Sequence, residues 1–307
     1  MSLLEVENLS VTFTNYTSML RKVKRQVIAN LSLSVEAGEI VAVVGASGSG
    51  KSLLAHAILG ILPVNSDVSG TCRYKGTPLT AKRQKELRGN EICLVPQSVA
   101  YLDPLMKIGK QVQTSVNTGD AVRTQRKVFE RYRLAKKTEN MYPFQLSGGM
   151  ARRALLATAV ISEPQLIIAD EPTPGLDAIV IEEALANLRE LAENGCAVLL
   201  ISHDIEAALK VADKIAVFYA GTTVEVAPVE DFTGKGELLR HPYSKALWRA
   251  LPQNEFIPIK GTQPQPNHLP TGCVFEPRCE RATAQCRVVQ PVNRTVREGM
   301  VRCFHAT

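Results

Sequence analysis

Aromatic side chains are scarce in this sequence, at 5% of 307 residues with a single tryptophan. A single-strand nucleic-acid binder stacks bases on aromatics set among basic residues, so that function is disfavoured from the start. Charge of one sign is also lacking, since 36 Lys and Arg against 30 Asp and Glu leave a formal +6. Together with 45% apolar residues, this balance excludes a disordered chain and a fibre. Long hydrophobic runs are missing too. Stretches such as Ile40 to Val44, Leu166 to Ala169 and Ala197 to Ile201 are strand-sized, far short of the roughly 20 residues that cross a bilayer. The opening MSLLEVENLS carries acids where a secretory leader has a basic segment and an apolar run, so the expectation is a cytoplasmic chain.

What is present is an ordinary globular chain, long enough for two domains or one large domain with an appendage. Basic clusters at Arg21 to Arg25, Arg123 to Lys137 and Arg278 to Arg287 read as solvated faces. Strand-like alternation over Leu3 to Leu9, Ser10 to Thr14 and Val27 to Val35 predicts an antiparallel edge layer. Continuous apolar runs at Glu39 to Val44, Ile92 to Pro96, Leu166 to Asp170, Ala197 to Ser202 and Lys214 to Tyr219 predict strands buried on both faces. A helix is expected from Lys51 to about Leu62, and a helical insertion from about Ser98 to Gln145, where helix formers replace β-branched residues. Strand and helix in alternation give an α/β fold with a largely parallel sheet. The rhythm stops after about Phe232, and the proline-rich stretch Pro252 to Pro270 reads as a linker or strap.

The chemistry begins at Gly45 to Ser52, GASGSGKS, which fits the G-x-x-x-x-G-K-[ST] phosphate loop between a buried strand and a helix. Glycines let backbone N–H groups of Gly45, Ala46, Ser47, Gly48, Ser49 and Gly50 close on a polyphosphate at a helix N-terminus. Lys51 would then reach the terminal phosphates, and the Ser52 hydroxyl would sit on Mg²⁺. The strand LIIAD delivers Asp170 and then Glu171 at its C-terminal end, where open α/β sheets bind ligands. Asp170 suits Mg²⁺ held through its water shell, and Glu171 suits a general base for an attacking water.

Between these motifs stands LSGGM at Leu146 to Met150, and there the sequence resembles the ATP-binding-cassette superfamily. Gln97 resembles the glutamine of that family's Q-loop, Asp177 in PGLD its D-loop aspartate, and His203 in SHD its switch histidine. The resemblance implies a P-loop cassette with an antiparallel β layer and a helical subdomain, which hydrolyses ATP. It implies a head-to-tail dimer in which Ser147, Gly148 and Gly149 grip the partner's nucleotide. Gln97 would touch Mg²⁺ and couple the nucleotide to a membrane protein, and Phe13 or Tyr16 would stack on adenine. Two positions depart from the usual family pattern. Met150 stands where glutamine is commonest, and Pro174-Gly175 replaces a Ser/Thr-Ala pair before Leu176.

The tail narrows the resemblance. HPYSKALWRALP from His241 and GCVFEPRCERATAQC from Gly272 are similar to the C-terminal extension of the ATPase subunits of oligopeptide, dipeptide and nickel importers. The expected organisation is a nucleotide-binding domain over 1–232, with its helical subdomain at about 98–157, and an extension over 233–307. Expected partners are two permease subunits, a second and paralogous ATPase, and indirectly an extracytoplasmic solute-binding protein, with no nucleic acid. The place of work would be the cytoplasmic face of the cell membrane. Nickel or another metal chelate is the alternative cargo, and a cytosolic nucleic-acid machine is the alternative class.

Seven cysteines, an odd number in a reducing compartment, argue against a disulfide framework. Cys273, Cys279, Cys286 and Cys303 are separated by five, six and sixteen residues. Four thiolates so close suit an iron–sulfur cluster or Zn²⁺, although zinc ribbons prefer tighter pairs. The resemblance favours a four-iron four-sulfur cluster that staples a small lobe, with four unligated thiols as the remaining reading.

Overall fold

The computed structural model describes residues 2–16, 22–46, 48–116, 119–174, 178–266 and 268–306. Two sheets form the frame. The first is antiparallel, built from β1 (Ser2–Tyr16), β2 (Lys22–Glu36), β4 (Ser66–Tyr74) and β5 (Thr77–Pro78) in the order β2-β1-β4-β5. The second uses β3 (Ile40–Val44), β6 (Ile92–Val95), β7 (Leu166–Asp170), β8 (Ala197–Ser202), β9 (Lys214–Tyr219), β10 (Thr222–Pro228), β11 (Arg294–Val296) and β12 (Gly299–Val301). Its order is β11-β12-β10-β9-β3-β8-β7-β6, parallel from β9 to β6 and antiparallel from β9 outward.

The continuous apolar runs are explained by two separate cores, one on each face of the second sheet. Val41, Val43, Ile168, Leu199, Ile201 and Phe218 face the antiparallel layer and helix α1 (Lys51–Leu59). Ile40, Ala42, Val44, Ala169, Leu200 and Val217 face the opposite way. The alternation is the two-residue period of a strand, with both faces dry.

The second face is covered by helices. After α2 (Ala81–Leu87) come α3 (Ile108–Gln113), α4 (Ala121–Arg131), α5 (Gly148–Val160), α6 (Ala178–Glu193) and α7 (Ile205–Leu209). Ala154 and Leu155 of α5 and Leu185 and Leu188 of α6 belong to this core. The stretch read as a helical insertion holds α3, α4 and 3-10 turns, with α3 against α4 and α5.

Three local differences from the sequence reading have physical causes. The first strand is continuous through its change of alternation, because Asn8 adopts φ 50° and a bulge absorbs the shift between Val6 and Leu9. Helix α1 ends at Leu59, earlier than Leu62, because Gly60 takes a left-handed φ of 65° and donates to the carbonyls of Ala57 and His56. The tail does not stand apart as a small lobe. Its hairpin of β11 and β12 extends the main sheet beside β10, and Cys273, Phe275 and Cys286 join the core under α8 (Pro242–Arg249) and α9 (Ala284–Val288).

Charged groups clamp this tail in place. Glu225 of β10 is wholly buried and accepts from the backbone N–H groups of Arg240 and His241 at 2.7 and 2.9 Å. The Arg240 guanidinium lies 3.4 Å from Glu225 and 2.6 Å from Asp231, and donates to the Val296 carbonyl. Arg278 donates to the carbonyls of Ile259 and Lys260 and to the Tyr219 hydroxyl. Within the Arg278 to Arg287 cluster, this residue is therefore a half-buried clamp, not part of a solvated face.

Candidate active site

The C-terminal ends of β3, β7, β8 and β6 lie at one edge of the parallel sheet, where loops can converge on a ligand. The phosphate loop leaves β3 under tight steric control. A Cβ on Gly45 would overlap the Phe218 carbonyl, so only glycine permits this approach. Gly48 and Gly50 adopt φ of 74° and 101°, turning the chain into α1. Ser47 lies outside the described residues.

Lys51 opens α1 and folds back over the loop. Its Nζ donates to the carbonyls of Gly45 at 2.9 Å and Ala46 at 3.1 Å, and stands 4.0 Å from Glu171. Burial lowers its pKa most, while Glu171 and Asp170 act to raise it. The Ser52 hydroxyl donates to Asp170 Oδ1 at 3.0 Å. Burial raises the Asp170 pKa, opposed by that hydrogen bond. A hydroxyl and a carboxylate joined in this way form an oxygen donor pair suited to Mg²⁺. The Ser49 hydroxyl is buried and finds no partner among the described residues, as expected of a group awaiting a ligand.

Glu171 follows β7 with φ 46°, a conformation rare outside glycine, and its N–H donates to the Ile201 carbonyl. That turn aims the carboxylate at His203, whose Nδ1 lies 2.7 Å from Oε2. Lys51, Ser52, Asp170, Glu171 and His203 thus form one connected group.

The other sequence candidates stand apart from it. Gln97 is exposed two residues beyond Val95, the register partner of Ala169. Ser147 caps α5 by accepting from the Met150 N–H, and Gly148 is open, since a Cβ there would meet nothing within 4 Å. A Cβ on Gly149 would meet only Val180, at 3.8 Å. Phe13 packs against the core of the antiparallel layer, whereas Tyr16 is 61% exposed. The Lys22 ammonium lies 6.0 Å from the centre of the Tyr16 ring. Asp177 lies outside the described residues. Arg152 escaped the sequence reading: one turn into α5, it donates to the carbonyls of Pro96 at 3.4 Å and Pro174 at 3.5 Å. The only signal for it is a basic residue just inside the LSGG helix.

Comparison with known proteins places this geometry. The ABC transporter profile matches residues 28–174, and the profile of the oligopeptide/dipeptide transporter C-terminal region matches residues 224–286. The oligopeptide transport ATP-binding protein OppD of Haemophilus influenzae is 34% identical, over 98% of this chain and 96% of its own. The chain belongs to the ABC transporter ATP-binding subunits. The dipeptide transport ATP-binding protein DppD of the same organism is 32% identical over 99% of this chain and 95% of its own. OppD of Escherichia coli is likewise 32% identical, over 99% and 93%.

The solved dimer of the ABC transporter cassette MJ0796 superposes with a TM-score of 0.64 at 25% identity, covering 74% of this chain and 98% of that one. The same cassette in a dimeric post-hydrolysis state, bound to ADP and phosphate, agrees equally well. The chain is thus an ABC ATPase with the cassette fold. Among the described residues no helix is long and apolar enough to cross a membrane.

The oligopeptide/dipeptide profile takes in Glu225, Arg240 and three of the four clustered cysteines, ending at Cys286. In the ABC subunit described here, Cys273, Cys279, Cys286 and Cys303 line one small cavity with His241 and His305. All four are free thiols. Burial pushes Cys273 up to about 11 and raises Cys279 and Cys303 as well. Cys286 Sγ lies 3.5 Å from His305 Nε2, and the His305 N–H donates to Cys303 Sγ. Among the described residues, no three His, Cys, Asp or Glu side chains form a group arranged to hold a single metal ion.

Proposed function

We propose that this subunit hydrolyses ATP to drive import of oligopeptides or dipeptides through two permease subunits at the cytoplasmic face of the cell membrane. The carrying observation is the connected group Lys51, Ser52, Asp170, Glu171 and His203 at the end of a phosphate loop. Similarity to OppD and DppD along nearly the whole chain supports the peptide cargo. Residues 1–232 act as the nucleotide-binding unit with its helical part at 98–157, and 233–307 as an extension bound to it.

On binding ATP, Lys51 exchanges the Gly45 and Ala46 carbonyls for the terminal phosphates, a stronger, charge-assisted pairing. Ser49 supplies a further donor, and Tyr16 stacks on the adenine. Ser52, Asp170 and Gln97 would hold Mg²⁺, which would neutralise charge on the phosphates. Glu171 takes a proton from the attacking water as the bond from the γ-phosphorus to the bridging oxygen breaks, yielding ADP and phosphate. His203 holds the Glu171 carboxylate in place and then reaches the γ-phosphate. Ser147 and Gly148, exposed at the start of α5, and the half-buried Gly149 serve the nucleotide of a second ATPase, a paralogue, in a head-to-tail pair, with Asp177 as a further nucleotide-site residue. Gln97 carries closure to the permeases.

Cys273, Cys279, Cys286 and Cys303, which line one cavity, would hold a four-iron four-sulfur cluster, and the likeness of the tail to the oligopeptide/dipeptide transporter C-terminal region favours that reading over zinc. With the pKa values of Cys273, Cys279 and Cys303 raised by burial, these thiols need a cationic partner in the cavity to ionise. When bound, the cluster supplies cross-links between Cys273, Cys279, Cys286 and Cys303.

Reconstitution with permeases and a peptide-loaded solute-binding protein tests the reading. Peptide-stimulated ATP hydrolysis is expected; no permease association, with tight salt-sensitive DNA binding instead, would overturn it. Anaerobic purification should give about four irons with matching sulfide per chain. One zinc, or four titratable thiols and no metal, would remove the cluster.

A further inference from the structure

Helix α8, the strap around Ile257 and Lys260, and the turn from Pro277 to Arg281 enclose a cavity of about 620 Å³, to which the phosphate loop contributes no residue. That volume is within the roughly 300–1,000 Å³ of small-molecule sites. Its charge is one-sided. Lys245, Lys260, Arg278 and Arg281 line it against a single free carboxylate, Glu280. Two further cations on the wall are already neutralised, Arg240 by Glu225 and Asp231, and Arg249 by Glu255.

Among the described residues, the remaining cations form no ion pair. Arg278 directs its donors to two carbonyls and a hydroxyl, all neutral, and its guanidinium lies 5.8 Å from the Tyr219 ring centre, so no carboxylate answers its charge. Among the described residues, Lys245, Lys260 and Arg281 have no carboxylate within ion-pair distance. Burial first, and then the neighbouring Arg281, hold the Lys245 ammonium below its ordinary value. Like charges gathered in a recess are unfavourable unless an anion joins them. The apolar part of the wall, Ile257, Ile259 and Phe275, offers burial for a carbon skeleton.

We propose that this cavity binds a phosphate-bearing organic anion, through Lys245, Lys260, Arg278 and Arg281, as a site separate from the nucleotide loop. Arg forks and Lys ammonium groups together match phosphate oxygens. A soluble phosphate ester and the headgroup of an acidic lipid share this chemistry, and the two arms of the experiment below distinguish them.

The full chain is first saturated with Mg–ADP, so that the phosphate loop is filled. It is then titrated calorimetrically with pyrophosphate, glycerol 3-phosphate and fructose 1,6-bisphosphate, and sedimented with phosphatidylglycerol or phosphatidylcholine vesicles. Saturable, salt-sensitive binding of a soluble phosphate is expected. The pair Lys245→Gln with Arg281→Gln should weaken it by about tenfold or more, with ADP affinity unchanged. The single exposed change Lys260→Gln, which disturbs no contact in the fold, should weaken it less. Binding only to phosphatidylglycerol, lost in the same variants, would assign the phosphate to lipid. No binding by any probe, or binding undiminished in both variants, overturns the proposal.

Discussion

His203 Nδ1 lies 2.7 Å from Oε2 of Glu171, so the carboxylate that follows β7 is tethered by the first residue after β8. A base held this way needs no search for its position when water arrives. Replacing Glu171 by Gln removes the proton acceptor but leaves the shape. Phosphate release should fall by about 100-fold or more, while ATP affinity and ATP-dependent pairing of cassettes persist. Single-turnover hydrolysis with gel filtration checks both, and retained turnover would refute the assignment.

Gly45 is limited by space and Gly48 by conformation. Ala at 45 drives a methyl group into the Phe218 carbonyl, whereas Ala at 48 meets nothing within 4 Å and suffers only from φ 74°. Gly45→Ala should therefore cost about 1–3 kcal/mol and distort the loop. Gly48→Ala should cost about 1 kcal/mol. Denaturant midpoints and ATP titrations of the two variants would rank them, and equal effects would sink the steric account.

The Glu225 carboxylate is shared by the N–H groups of Arg240 and His241 and by the Arg240 guanidinium, all buried. Glu225→Ala leaves the two N–H groups unanswered and Arg240 with Asp231 as its one remaining carboxylate, and should cost about 2–5 kcal/mol. The exposed pair of Arg73 and Glu7 gives the contrast, since Glu7→Ala should stay within about 1 kcal/mol. Chemical denaturation of both variants tests this difference.

His241 is buried, and its pKa is pushed from 6.5 down to about 3. Its Nδ1 accepts the Tyr243 N–H at the start of α8. The unfolded chain takes up a proton as pH falls through 6.5, but the folded chain does so only near 3. The stability it contributes is therefore complete above pH 6.5 and is lost as pH falls, at roughly 1.4 kcal/mol per pH unit. His241→Asn keeps a capping acceptor without the titration. Its unfolding midpoint should drop less between pH 7 and pH 5 than that of the parent chain; identical drops would exclude His241 as the cause.

Much of this was legible because the constraint was chemical or two-sided. Gly45 to Ser52 must admit a polyphosphate, and Leu166 to Asp170 is dry on both faces, so its limits as a strand coincide with its apolar run. The early end of α1 was also written in the sequence, as Gly60, but was outweighed by the apolar residues that follow. Arg152 could not be seen because its acceptors, the carbonyls of Pro96 and Pro174, belong to the backbone and leave no mark on residue type. The same holds for Arg278 and its carbonyl partners. The hairpin of β11 and β12 is only three residues a side, too short for alternation to register.

That hairpin has a consequence for any shortened form of the subunit. β10 pairs with β9 on one side and with β12 on the other. Cutting the chain after Phe232 would strip away β12 and Arg302 and leave Val224, Glu225 and Val226 along an open strand edge. Such an edge recruits strands from other molecules. The isolated cassette should accordingly precipitate or form higher assemblies where the intact chain stays dispersed.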